Sequence, residues 1–485
     1  MRDTKASGDI GWGRLTLLGA ALALGLAMRL SYGWHAPLWL DETFSAVIAS
    51  QPDFAHLLGW CLTELSGPAF YMPLWLWAKL AGNCDLALRV PGLAWSLGAP
   101  ALIWLRGHPD RDTRLLWTIV VLLWLPAALV AAEARPYPQL FLLALAQAMA
   151  FRHLIDAPGR RAALLWSTLT TLAVLTHYSA LVIGGVQGVL YLARHRRVAL
   201  ATAWPAVLPF LVAVTWLAVQ LHFLLAYTGK HDAAYATLPL STILDLPAIL
   251  FGTPLAGLFT LGVMAVTLLF GHARLRQIDA DGLLVLSGLI ALAVIFGLGF
   301  VRPNFAPRYL TSVMPALLFA VACWARWQVA RDWKPVVAVI ATMMICAGAL
   351  FWSTLTEPDS DPRHASNIET ASAWLGAAHP TKLILFWDGA IAAATRSDRI
   401  AEVAGFFLRR AGEPVSVGVV RAGEADDPNR NVLAAAHAAP GAAILWITDA
   451  HPAAARTPRI TAGDARYICR DFGAGAIIVM ACRSR

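Results

Sequence analysis

Runs of apolar residues separated by short polar turns recur through the first 355 positions of the chain. A hydrocarbon layer about 30 Å thick takes ~20 residues of helix to cross, and it excludes backbone whose polar groups are not paired internally. On that rule the pattern predicts membrane spans near 13–33, 86–105, 115–132, 138–155, 162–176, 178–194, 201–226, 247–271, 282–300, 307–327 and 335–354. The expectation is a polytopic α-helical membrane protein with about eleven transmembrane helices. The first run follows Arg2, Lys5 and Arg14 but is succeeded by Arg29 and bulky aromatics instead of a small-residue cleavage site, so it reads as a retained helix.

Two stretches break the pattern. Between the first two spans, residues 34–85 are too polar to cross, yet FAHLLGWCL and FYMPLWLWAKLAG place apolar side chains at helical spacing beside Trp and Lys. That predicts helices lying in the membrane interface, a lid formed by the first outer loop. From position 356 onward charges, Pro and Gly rise, and short β-like runs (LILFW, VSVGVV, AAILWIT, AIIVMAC) alternate with helical segments. The chain thus divides into a transmembrane domain, 1–355, and a soluble α/β domain, 356–485. The second carries no phosphate-binding glycine loop and receives no chemistry.

Charge adds topology. Basic residues cluster in alternate loops, at Arg106, Arg111 and Arg114; Arg152, Arg160 and Arg161; Arg194, Arg196 and Arg197; Arg274 and Arg276; and Arg326, Arg331 and Lys334. The positive-inside rule assigns these loops and the N-terminus to the cytoplasm. With an odd number of spans the C-terminal domain falls on the opposite, periplasmic side. The intervening loops hold Lys79, Arg89, Arg135, Lys230, Arg302 and Arg308, which need a reason other than topology.

Composition agrees: 58% of residues are hydrophobic, 14% are charged and the mean hydropathy is +0.60, far too apolar for a soluble enzyme of 485 residues. The net charge of +8 is scattered through short loops, which argues against a nucleic-acid partner. Of six cysteines, Cys323 and Cys346 fall within spans. Cys61, Cys84, Cys469 and Cys482 fall on the oxidising side, where Cys61 with Cys84 and Cys469 with Cys482 are candidate disulfides.

Four features are expected at the same ends of different helices: Asp41-Glu42 in PLWLDETFS; Glu133, Arg135 and Tyr137 in AEARPYPQ; His177-Tyr178 in LTHYSA; and Arg308-Tyr309 in NFAPRYL. Each has a plain structural reading. Acids can end a helix in water, arginines can snorkel to headgroups, and Glu133 can pair with Arg135. Together they suggest one cavity in which guanidiniums take a lipid-linked phosphate in charge-assisted forks beside tyrosine hydroxyls. If that phosphate carries a sugar, the phosphate is already a good leaving group, so one carboxylate suffices as base toward an acceptor hydroxyl, and Asp41 fits. No cluster has the spacing of a structural zinc site, while a divalent cation bridging Asp41 or Glu133 to phosphate stays open.

PLWLDETFS after a first span, followed in order by EARPY, THYSA and PRYLTSVMPAL, resembles the glycosyltransferase C superfamily, specifically bacterial relatives of protein O-mannosyltransferase and of the lipid A aminoarabinose transferase. The resemblance covers most of residues 10–330. It implies a multi-pass inner-membrane glycosyltransferase, inverting, that moves a sugar from a polyprenyl phosphate to a periplasmic lipid, glycan or protein acceptor. It further implies Asp41 as the catalytic carboxylate with Glu42 beside it. Phosphate contacts would fall on Arg135, Tyr137, His177, Tyr178, Arg308 and Tyr309, with Lys79 also in reach. Where relatives often carry His-Pro-Pro-Leu-Tyr-Tyr, this chain has Ser66-Gly67-Pro68-Ala69-Phe70-Tyr71. The rival readings are a lipid or sugar transporter, which calls for ionisable groups near span midpoints, broken helices and internal repeats, and a non-catalytic envelope scaffold.

Overall fold

A computed structural model describes residues 7–34, 36–229, 238–270, 278–301, 305–356, 368–388, 396–413, 415–421, 428–449, 466–473 and 477–485. Arg2, Lys5, Lys230, Arg274, Arg276 and Arg302 lie outside the described residues.

Every segment expected to span is helical: α1 (Ser7–Ser31), α5 (Asp85–Arg106), α6 (Arg111–Leu123) with α7 (Leu125–Leu129), α8 (Tyr137–Asp156), α9 (Arg160–Thr176), α10 (Ala180–His195), α11 (Arg197–Ala203) with α12 (Val207–Gly229), α13 (Thr242–Phe251) with α14 (Pro254–Phe270), α15 (Ala280–Val301), α16 (Met314–Val329) and α17 (Lys334–Thr356). Among the described residues five helices are individually long and apolar enough to cross a membrane, or six if α13 and α14 count as one bent span. The protein is a polytopic helical membrane protein with a small C-terminal sheet.

Two expected spans are broken, each for a local reason. The run 115–132 stops as a helix at Leu123, because Pro126 cannot continue the hydrogen-bond ladder. The carbonyls this frees inside the bundle are capped by a fully buried arginine of α1: Arg29 donates to Leu122 O at 2.9 Å and Val121 O at 3.2 Å, and its Nε to Ser96 Oγ at 3.0 Å. The run 247–271 bends by 96° between α13 and α14. Gly252 supplies the left-handed turn (φ 87°), and the two arms approach so closely that a Cβ on Gly257 would lie 2.1 Å from Pro247 O.

The loop between α1 and α5 folds into α2 (Leu40–Ala49), α3 (Phe54–Cys61) and α4 (Pro68–Ala81). Sequence predicted a lid lying on the membrane surface. The segments that carried this expectation are α3 and α4; α2, which precedes them, is enclosed, with Glu42 through Ala49 all buried. The enclosing element on one side is the C-terminal sheet, made of β1 (Lys382–Asp388), β2 (Ser416–Arg421), β3 (Ala442–Asp449), β4 (Tyr467–Asp471) and β5 (Ile477–Ser484) in the order β2-β1-β3-β5-β4. Strands β1, β2 and β3 run parallel and β5 and β4 join antiparallel. Both faces of β1 and β3 are apolar, as expected of strands covered on two sides. Leu383, Leu385, Trp387, Leu445 and Ile447 share one core with Phe44, Val47 and Ile48 of α2, while Ile384, Phe386, Ile444 and Trp446 pack under the helix Pro428–His437. The α/β unit and the first loop therefore have a common core.

Polar contacts fix this docking. Gln51, just beyond α2, donates to Glu402 Oε1 at 2.5 Å, and Trp60 Nε1 donates to Glu402 Oε2 at 3.2 Å. The Arg399 guanidinium lies 4.3 Å from the Trp60 ring, and Arg410 bridges Asp85 (2.5 Å) and Glu369 (2.6 Å). Cys469 and Cys482, opposite one another on β4 and β5, are joined by a disulfide. The other candidate pair is corrected: Cys61 is a buried free thiol closing α3, and Cys84 is an exposed free thiol capping α5, each held apart by its own helix.

Replacing Glu402 by Ala leaves the Gln51, Trp60 and Arg399 donors without their acceptor and should lower stability by about 1–3 kcal/mol. Thermal unfolding followed by tryptophan emission in detergent measures it, Trp60 being one of the three donors.

Candidate active site

Asp41 and Glu42 occupy the first turn of α2, where a helix N-terminus favours negative charge. Adjacent positions on a helix point in different directions, and the two acids have different surroundings. Glu42 is fully buried and forms a bidentate pair with Arg89 of α5, with Arg89 Nε to Oε1 at 3.0 Å and Nη2 to Oε2 at 2.7 Å. Glu42 also accepts the Ala134 N–H at 2.9 Å and the Trp39 N–H at 3.3 Å. The remaining Arg89 donors go to the carbonyls of Trp34, Ala36 and Pro37. Glu42, expected beside Asp41, is placed by the structure away from the opening and against Arg89. Both Glu42 oxygens are occupied, and they tie the end of α1, the start of α2, α5 and the Ala134 turn into one knot. Glu133, also buried, adds its negative charge near Arg89.

Asp41 remains partly open, its side chain 16% exposed. Its Oδ2 lies 3.2 Å from Arg308 Nη2 and 3.6 Å from Arg135 Nη2. Arg135 is steadied by Nη1 bonds to the Asp41 carbonyl (3.0 Å) and Ser45 Oγ (3.3 Å), while its buried Nε has no hydrogen-bond partner among the described residues. The Arg308 guanidinium sits 5.7 Å from the Trp39 ring and 5.9 Å from the Tyr137 ring. His177 stands between Tyr137 (5.6 Å) and Tyr309 (5.1 Å). Its Nδ1 accepts the Ser179 N–H at 3.3 Å, and burial, reinforced by the charges of Arg135 and Arg308, pushes its pKa down to about 3. It is a neutral aromatic wall.

The structure thus brings together Asp41, Arg135, Tyr137, His177, Arg308 and Tyr309. It separates two of the expected residues from them. Tyr178 turns to α12, its hydroxyl bonded to Gln220 and accepting from Trp216 Nε1 at 3.0 Å. Lys79, at the end of α4, donates to Pro52 O at 3.2 Å and lies 5.5 Å from the Trp75 ring.

Three participants were missed from sequence. Arg89 had a visible signal, a basic residue in a loop where topology asked for none. Ser45 had none. Glu64, in the linker between α3 and α4, is a lone acid in TELSGP that becomes notable only once its half-buried side chain is seen close enough to feel both Arg135 and Asp41. Among the described residues no group of three or more His, Cys, Asp and Glu side chains is arranged to hold a metal ion.

Fold and site together define a multi-helix membrane protein with two guanidiniums gathered at one partly open carboxylate, a charge arrangement suited to an anionic ligand. The chain has the fold of ArnT from Cupriavidus metallidurans. It is similar to the apo crystal structure with TM-score 0.59 and 13% identity over 98% of each chain. It is similar to the structure bound to undecaprenyl phosphate with TM-score 0.56 and 13% identity, over 97% of this chain and 98% of that one. No protein-family model matches the chain, and no curated protein matches its sequence. The relationship expected from the motifs holds at the level of fold.

Two outcomes test this electrostatic picture. Arg89→Met alone, or Glu42→Gln alone, leaves a buried partner uncompensated and should cost about 3–5 kcal/mol, whereas the double substitution Glu42→Met with Arg89→Met recovers much of it; chemical unfolding of the three variants in detergent measures the difference. His177 bears on acid stability. Its folded pKa lies below the unfolded value of 6.5, so the unfolded state binds the proton first and stability is lost as pH falls from 6.5 toward 3. The penalty is on the order of 5 kcal/mol at its limit. His177→Asn should remove this part of the slope in unfolding measured against pH.

Proposed function

We propose that the protein is a membrane glycosyltransferase that takes a sugar from a polyprenyl-phosphate carrier. The observation that carries this reading is the convergence of Arg135 and Arg308 on Asp41 with the Arg135 Nε unmatched, in a fold shared with a protein whose structure was solved with undecaprenyl phosphate bound. Two guanidiniums share the one Asp41 carboxylate, and a phosphate entering there gains charge-assisted hydrogen bonds from both. In this reading Asp41 keeps the guanidiniums in position in the empty site, and the phosphate replaces it as their partner. As the sugar–phosphate bond opens, negative charge grows on the phosphate where the two guanidiniums already point, so little reorganisation accompanies the step. Tyr137, His177 and Tyr309 form an aromatic wall beside them.

The acceptor, a lipid, glycan or protein hydroxyl, attacks the anomeric carbon from the face opposite the phosphate, which inverts the configuration. The site, the first loop and the α/β unit lie on the periplasmic side of the inner membrane, with the Arg-rich loops in the cytoplasm, and the boundary between transmembrane and α/β domains falls near residue 356. The transporter alternative called for intramembrane charge and broken helices. Arg29 and the α13–α14 bend are such features, but Arg29 is consumed in capping α6.

Arg135→Gln and Arg308→Gln should each weaken binding of undecaprenyl phosphate by about 10-fold or more, a charge-assisted bond being worth about 1.5–3 kcal/mol. Asp41→Asn, folded and inserted, should lose sugar transfer. Binding of undecaprenyl phosphate to the protein in nanodiscs, and transfer of radiolabelled sugar in washed membranes, measure the two; unchanged affinity in both arginine variants would overturn the reading.

A further inference from the structure

The site holds two carboxylates with opposite environments. Asp41 has its carboxylate on Arg308 and Arg135. Glu64 has no ion pair within 4 Å among the described residues, and its side chain receives one hydrogen bond, from Tyr71 Oη to Oε2 at 3.3 Å. A general base needs a lone pair free for the acceptor's proton: the Asp41 carboxylate is engaged by two guanidiniums, whereas the Glu64 carboxylate is engaged by one neutral hydroxyl. On the transferase reading above, we propose that Glu64, not Asp41, is the catalytic base that takes the proton from the acceptor hydroxyl.

The fold holds Glu64 for this role. Its carbonyl accepts from Gln220 Nε2 at 3.2 Å, and the same amide donates to Cys61 O at 2.6 Å, tying the linker to α12. Two residues further on, Ser66 pairs with His177 in a β-bridge and the Gly67 N–H donates to Thr176 O at 3.1 Å. A Cβ on Gly67 would lie 2.0 Å from Leu175 O, so only glycine lets the linker come this close to the His177 turn. The base is thereby anchored against the aromatic wall, with Arg135 and Asp41 near enough to act on its charge.

In the step, the acceptor O–H bond breaks and its proton passes to Glu64. The acceptor oxygen bonds to the anomeric carbon, and the electron pair of the sugar–phosphate bond leaves with the phosphate, which Arg135 and Arg308 receive. Asp41 serves as a positioning residue for those guanidiniums.

The groups facing Glu64 are Asp41 from α2, Cys61 from α3, Tyr71 from α4, Arg135 from the turn before α8, and Tyr178 from the turn before α10. Burial, with the Asp41 charge adding to it, raises the Glu64 carboxyl above the usual range. The same burial pushes the Cys61 thiol up to about 12 and raises Tyr71, so both stay neutral at mildly acid pH. Transfer should therefore decline as pH falls through the raised Glu64 value, where the base becomes protonated.

The test uses the full chain in washed membranes, with undecaprenyl phosphate carrying a radiolabelled pentose or hexose as donor, and undecaprenyl phosphate alone as the binding probe. Glu64→Gln is expected to bind the probe within about threefold of wild type while kcat falls at least about 100-fold, the usual effect of losing a general base. Glu64→Asp should restore part of the rate, and the residual Glu64→Gln rate should lack the acid limb. A smaller loss, a retained acid limb, or loss of probe binding in Glu64→Gln overturns the assignment of the base and leaves the transferase reading standing. Wild-type protein that neither binds the probe nor transfers any label overturns both.

Discussion

The buried pair between Glu42 and Arg89 is the interaction on which the rest of the site depends. An arginine and a glutamate with almost no solvent contact are tolerable only if every donor and acceptor finds a partner, and here they do, through three carbonyls of the residue 34–37 turn and two backbone N–H groups. That requirement fixes where α1 ends, where α2 begins and how α5 and the Ala134 turn meet them. Asp41, one residue before Glu42, is consequently aimed at Arg135 and Arg308 without freedom to choose. The neighbouring acids divide the work: one builds the site and the other stands in it.

A second constraint is that α2 is enclosed from Glu42 to Ala49. It lies between the helical bundle and the sheet, sharing a core with β1 and β3, and its C-terminal end is held through Gln51 by Glu402. The α/β unit is thus part of the wall behind the helix that carries the candidate site. The same logic accounts for the broken helices. Each break exposes backbone polar groups in an apolar setting, and each is answered by a specific partner: Arg29 for the end of α6 and the Trp124 indole for Leu250 O at the end of α13.

Much of this was legible in the linear pattern. Apolar length located the helices, since water-free surroundings permit little else, and short β-like runs marked four of the five strands, all but β4. The motifs around Asp41, Arg135, His177 and Arg308 could be placed on one face because helix ends alternate sides. Less legible was anything that depends on which atom a side chain reaches. Asp41 and Glu42 are indistinguishable as letters, and Cys61 and Cys84 look as pairable as Cys469 and Cys482. Tyr178 and Tyr137 both follow a helix end, yet one hydroxyl is taken by Gln220 and Trp216 while the other ring lines the site.

By itself, then, the sequence determined a multi-helix membrane protein with an acidic and arginine-rich set of residues at one end and a small sheet appended to it, because burial of apolar length is a property of composition and order. Only the tertiary structure decided that Glu42 is fully buried against Arg89 while Asp41 stays partly open, that Lys79 stands apart, and that Glu64 lies near Arg135 and Asp41. Those outcomes follow from which partner each side chain reaches: Arg89 of α5 for Glu42, the Pro52 carbonyl for Lys79 and the Tyr71 hydroxyl for Glu64.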